Sequence, residues 1–197
     1  EHWHDRRLLR RTRRRLERAG RTCRTQAPHG RTARRRARGI ARARCRLRHG
    51  HHGARAYLDL GAQTIVALDL SEEMLACART SFADVDPRRL RFECRDILDF
   101  TSDEPFDVVV IYNAYPHILD KEALARATSS LLASGGRFLV AHGMSRATLN
   151  AHHANVPANV TSDLLPAQEA ALDWQDAFDV DMMADTPFTY FFGGSKR

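Results

Sequence analysis

From residue 57 onward, apolar and polar positions follow a regular rhythm, and before it they do not. Residues 57–62 (YLDLGA) read as the end of a helix with Gly61 as its stop. Residues 64–68 are a short, largely apolar run ending in Asp69, which predicts a strand. Ser71 then caps a predicted helix through about Phe82, with Glu72 and Glu73 favourably placed in its first turn. Residues 90–94 predict a third strand that leads into Arg95, Asp96 and Ile97. The run 106–112 (FDVVVIY) has the composition of a central parallel strand buried on both faces. Residues 121–133 show helical spacing, with Leu124, Thr128, Leu131 and Leu132 on one side, and Gly135 and Gly136 are expected to stop that helix. Strands follow at 137–141, 178–183 and 189–192, the last two joined across Thr186 and Pro187.

Strand and helix alternate at short spacing, which predicts an α/β fold with a Rossmann-like, doubly wound and mostly parallel sheet. The last two strands leave no room for a crossover helix, so the C-terminal end should carry an antiparallel strand. No internal repeat is visible.

Composition divides the chain in two. Residues 1–55 hold 20 Arg, no Lys and 3 acidic residues, a charge of +17 inside a whole-chain charge of +7. Such a segment has too little apolar surface to offset its ordering entropy, so residues 1–56 are expected to be irregular or disordered rather than a folded domain. The remainder is acidic and reads as an ordinary enzyme domain, lacking its first strand, over residues 57–197. Cys77 and Cys94 fall in a predicted helix and strand, and buried free thiols there would fit a reducing cytoplasm. No stretch is long and apolar enough to span a membrane, and no membrane partner is expected.

The candidate chemistry begins at Asp69. In a doubly wound sheet an acid at the carboxyl end of the second strand lies where ligands bind, and it can accept both hydroxyls of a ribose. Its usual counterpart is a glycine-rich turn roughly twenty residues earlier. Residues 41–56 (ARARCRLRHGHHGARA) supply neither that strand nor that turn. Asn113 ends the fourth predicted strand. Beyond it, Tyr115 and His117 are candidates to orient a substrate or move a proton, although a packing or capping role suits His117 equally. His142 and His152 join them on the substrate side, with His153 beside the latter. The histidine groups lack carboxylate or cysteine partners, so no metal site is expected.

The pieces ALDLSEEML (67–75), CRDI (94–97), FDVVVIYNAYPH (106–117) and SGGRFLV (134–140) resemble, in order and spacing, the class I S-adenosylmethionine-dependent methyltransferases. The resemblance implies S-adenosylmethionine as cofactor. Asp69 would hold the ribose hydroxyls, with Leu70 beside it. Met74 would pack near the adenine, Asp96 would accept from its amine, and Ile97 would cover a ring face. Asn113 would face the methyl group and the acceptor. No single catalytic residue is readable, because the sulfonium is already activated and alignment supplies much of the rate.

The same resemblance requires a strand and a D-x-G-x-G-x-G loop before residue 57, with glycines that let the backbone approach the cofactor. Read one base later, the codons for residues 42–52 permit Val-Leu-Asp-Val-Gly-Cys-Gly-Thr-Gly-Ile-Met, which is that strand and loop in order. The arginine-rich segment up to about Ala56 therefore reads as frame-shifted, and cofactor binding by this chain is expected to be weak or absent. The expected function is methyl transfer to a small-molecule acceptor. Two other classes stay open on the residues alone. One is a basic nucleic-acid-binding protein, although the tract has only Trp3 for stacking, so no specific nucleic-acid binding is expected. The other is a nicotinamide-dependent oxidoreductase, which shares the strand-ending acid. Acceptor and oligomeric state are not encoded legibly.

Overall fold

The computed structural model describes residues 43–47 and 51–197. Its strands are β1 (Ala43–Leu47), β2 (Ile65–Asp69), β3 (Leu90–Cys94), β4 (Phe106–Tyr112), β5 (Leu132–His142), β6 (Phe178–Thr186) and β7 (Thr189–Lys196). The helices are α1 (His51–Asp59), α2 (Glu72–Ser81), α3 (Lys121–Leu131), α4 (Arg146–His153) and the single turn α5 (Ala167–Ala170). All seven strands form one sheet in the order β3-β2-β1-β4-β5-β7-β6. Strands β1 to β5 pair in parallel, and β7 runs antiparallel between β5 and β6, as the short final connection requires.

Period-two alternation with both faces buried explains why β2 and β4 are mostly apolar. Val66 and Leu68 of β2 join one core cluster, and Ile65 and Ala67 join the other on the opposite face. Val109 and Ile111 of β4 face the first cluster while Val108 and Val110 face the second. The first cluster is the larger and contains the aromatic side chains Tyr115, Phe138, Trp174, Phe178, Tyr190 and Phe192. Phe138 stacks on Trp174 with ring centroids 4.2 Å apart, a contact of about 0.5–1.5 kcal/mol beyond area burial.

Three expectations need correction. The place of the first strand is filled: residues Ala43 to Leu47 pair with Val108 to Tyr112 of β4, and Cys45 and Arg46 pair with Ala67 and Leu68 of β2. The sheet therefore includes a short alternating run, ARCRL, set inside the arginine-rich tract. Unpaired N–H and C=O groups on both flanking strands offer the ladder that this proline-free run completes. Residues 1–42, with most of the arginine-rich segment, lie outside the described residues. Second, α3 ends at Leu131 and the strand starts at once. Gly135, at φ 69°, sits in the irregular stretch where pairing jumps from Phe106↔Leu132 to Val108↔Arg137, so the glycines shape a bulge rather than a helix stop. Third, Cys77 and Cys94 are exposed free thiols, because β3 is an edge strand and α2 turns Cys77 to solvent.

Candidate active site

The strand order reverses at β1, so the carboxyl ends of β2 and β4 flank the crevice where this class of sheet binds ligands. Asp69 ends β2 and is 3% exposed. The Ser71 N–H donates to its Oδ1 at 2.9 Å, while its Oδ2 is buried with no hydrogen-bond partner. Leaving a buried acceptor unmade costs about 1–3 kcal/mol, which ligand hydroxyl donors would recover. The Asp69 carboxylate thus fits the ribose of an adenosyl cofactor. Ser71 fixes the local geometry: its Oγ caps α2 by accepting from the Met74 N–H at 3.2 Å and donates to Glu73 at 2.7 Å. That bond holds the Glu73 carboxyl below its ordinary range.

The Arg95 N–H donates to the Asp69 carbonyl at 3.1 Å, which ties the tip of β2 to the exit of β3. Asp96 lies there, its Oδ1 accepting from the Leu98 N–H at 3.1 Å. Leu70 is 58% exposed beside Asp69, and Met74 is half-buried on the first turn of α2. Ile97 is buried in the main core cluster with Val66 and Leu68, so packing accounts for its apolar side chain. Asp69, Leu70, Met74 and Asp96 are thus brought to one end of the sheet.

The other half of the crevice follows β4. Asn113 has φ 51°, its N–H donates to the Ala141 carbonyl at 3.0 Å, and its Oδ1 accepts from the Gly143 N–H at 3.0 Å. It pins the end of β4 to the loop after β5. A 3-10 turn, Tyr115–His117, comes next. The expected substrate-side Tyr115 is instead built into the aromatic core at 2% exposure, its ring 5.5 Å from that of Phe192. Burial pushes its hydroxyl up to about 12, so it stays protonated. Lys121 Nζ donates to the carbonyls of Tyr115 and Ile118, both at 2.6 Å, and lies 4.3 Å from the Tyr115 ring centroid.

His142, at the end of β5, is 3% exposed, and neither of its ring nitrogens has a hydrogen-bond partner. Burial, reinforced by His117, His153 and Lys121, pushes its imidazole down to about 3, so it is neutral at ordinary pH. The His117 ring lies 5.1 Å from that of His153, whose Nδ1 is 3.2 Å from the Thr161 hydroxyl. His152, expected on the substrate side, is exposed, and its half-buried neighbour His153 is the one that meets His117. One step along a helix turns a side chain by about 100°, and the spacing alone did not decide between the two. Tyr190 was missed: its ring packs 5.8 Å from that of His142, and its hydroxyl donates to the Leu165 carbonyl at 3.0 Å. Lys121 was missed too, since a lone lysine near a helix start carries no signal of burial. Among the described residues, no group of three His, Cys, Asp or Glu side chains converges to hold a metal ion. Among them, no helix is long and apolar enough to cross a membrane.

Comparison with known proteins agrees with this geometry. Residues 47–136 match a family model described as a methyltransferase domain. Among curated proteins, no sequence matches the chain. A methyltransferase from Mesorhizobium loti, described as S-adenosylmethionine-dependent, superimposes with a TM-score of 0.63 at 16% identity, over 80% of this chain and 91% of that one. The N-methyltransferase NodS from Bradyrhizobium japonicum, solved with S-adenosylhomocysteine, gives 0.59 at 12% identity, over 79% of this chain and 77% of that one. The glycopeptide N-methyltransferase MtfA, solved with S-adenosylmethionine, gives 0.60 at 20% identity, over 94% of each chain. The chain thus matches the methyltransferase-domain family over residues 47–136 and shares the fold of S-adenosylmethionine-dependent methyltransferases.

Proposed function

We propose that the domain binds S-adenosylmethionine and belongs to a lineage that transfers its methyl group to a small-molecule acceptor at nitrogen, oxygen or carbon. The observation that carries this reading is the orphaned Oδ2 of Asp69 at the tip of β2. In this reading Asp69 holds the ribose hydroxyls, Asp96 accepts from the adenine amine, and Leu70 and Met74 line the adenosine. When bound, the cofactor supplies a methyl group already activated on a sulfonium. The chain's own task is then to exclude water and align an acceptor. Asn113, His117 and His142 stand on that side, and the structure leaves Ile97, Tyr115 and His152 the weaker of the expected contacts. Two free thiols, Cys77 and Cys94, fit a reducing compartment, and we place the protein in the cytoplasm on that ground.

The proposal includes the reading frame. A glycine loop after β1 is what the methionine end of the cofactor needs, and residues 48–53 read RHGHHG. Calorimetric titration with S-adenosylhomocysteine should therefore be run on this chain and on a form with residues 42–52 replaced by Val-Leu-Asp-Val-Gly-Cys-Gly-Thr-Gly-Ile-Met. The replaced form should bind in the micromolar range, and this chain at least about 100-fold more weakly, a difference of about 2.7 kcal/mol. Asp69→Ala in the replaced form should cost a further tenfold or more. Undiminished binding by Asp69→Ala would sink the ribose assignment, and tight binding by the unaltered chain would sink the reading-frame account. Preferential binding of a nicotinamide dinucleotide would favour the oxidoreductase alternative.

A further inference from the structure

The histidines at the acceptor end raise a question that cofactor binding does not answer. His142 is almost fully buried, yet it presents one N–H donor and one bare ring nitrogen to no protein partner. Buried polar side chains are nearly always paired, so an unpaired imidazole calls for a partner from outside the chain. The groups around it are His117 from the turn after β4, His153 from α4, Lys121 from α3 and the Tyr190 ring from β7. The nearby carboxylates are engaged with its neighbours: Asp173 acts on Lys121 and Tyr115, and Asp185 acts on Tyr190 and pairs with Arg146 at 2.7 Å. Among the groups that act on His142 itself there is no carboxylate to balance an ammonium. A cationic acceptor would meet Lys121 and two imidazoles, and it would also lack the lone pair that methyl transfer uses.

We propose that His142 is the acceptor-binding residue of the site and selects an uncharged protic nucleophile, a hydroxyl or a free-base amine, whose hydrogen it accepts at its bare ring nitrogen. This specificity rests on the methyltransferase reading above and narrows its acceptor. The hydrogen bond would leave the nucleophile's lone pair free to face the methyl group. A methyl transfer to such a group forms the new bond to carbon as the C–S bond breaks. For a hydroxyl, the resulting oxonium is far more acidic than the imidazolium, so its proton passes to the His142 ring nitrogen and from there to solvent, and the depressed basicity of His142 keeps that protonation transient. A methylated amine carries its proton away with the product. His117 and His153 would border the same ligand.

The test is imidazole nitrogen NMR of the full chain labelled at histidine, with His142 assigned by loss of its signal in His142→Leu. Three probes with one ring and different heads are added: benzyl alcohol, benzylamine and benzoate. The expected result is a His142 signal that is neutral from pH 5 to 9 and shifts with benzyl alcohol. It should shift with benzylamine only as pH rises towards the free base. Benzoate that binds best and protonates His142 would overturn the proposal, as would a His142 signal that none of the probes moves. His142→Leu should abolish the response and keep or raise the melting temperature, because it removes an unsatisfied buried group. A fall of more than about 5 °C would mean that the imidazole is a packing element, and would overturn the proposal too. None of these readouts needs the cofactor. Failure of S-adenosylhomocysteine binding is therefore distinguishable from failure of the His142 assignment.

Discussion

Lys121→Met removes a half-buried cation that clamps the turn after β4. In the native chain Nζ donates to the Tyr115 and Ile118 carbonyls at 2.6 Å each and sits over the Tyr115 ring. Losing these contacts should cost about 2 kcal/mol, mostly by leaving the Ile118 carbonyl without a donor. A second signature separates this from generic damage. Burial lowers the lysine from 10.5 to about 8, with Asp173 opposing the shift. Between those two values the unfolded chain holds a proton that the folded chain has released, so stability rises with pH through that window. The neutral amine keeps two N–H groups, enough for both carbonyls, and the clamp survives deprotonation. Linkage gives a gain of about 1.3 kcal/mol between pH 7 and 9, or about 3–5 °C in melting temperature for a domain this size. Thermal melts of both proteins at pH 7, 8 and 9 measure it. The native chain should gain that increment relative to Lys121→Met. Parallel pH profiles would refute the burial of this cation.

Two further outcomes follow from backbone geometry. Gly194→Ala should destabilise by about 3 kcal/mol in a denaturant melt, because the new Cβ would collide with the Asp179 carbonyl oxygen across the β6–β7 ladder. A neutral result would mean the hairpin can open its register there. Asn113→Ala should cost about 1–2 kcal/mol by removing the bond from the Gly143 N–H and by placing alanine at φ 51°. Asn113→Gly loses the same bond without the strain, so it should be the milder of the two by equilibrium unfolding, and the reverse ranking would discount the strain.

The elements that could be read from the sequence were those whose local signals agree with their burial. FDVVVIY became β4 over Phe106–Tyr112, LRFEC became β3, and Ser71 caps α2 through its Oγ. The position of Asp69 was legible because it closes the apolar run that became β2. Strand β1 was not, since its five alternating residues (ARCRL) are set in an arginine-rich tract and its pairing comes from β2 and β4 on either side. Tyr115 looked like a loop residue, yet the 3-10 turn folds its ring under Phe192 and Trp174, which lie far along the chain. The choice between His152 and His153, and the unpaired state of His142, likewise depend on tertiary neighbours that spacing does not record.

The ends of β2 and β4 never touch as neighbours in the ladder, because β1 runs between them. Asp69, the proposed sugar anchor, and Asn113, the proposed acceptor-side residue, are therefore separated by two strand spacings, about 9.5 Å. In the proposed reading that middle strand is a gauge block between donor and acceptor. Any change that shifts its register would misalign the two halves without altering a single group that either ligand contacts.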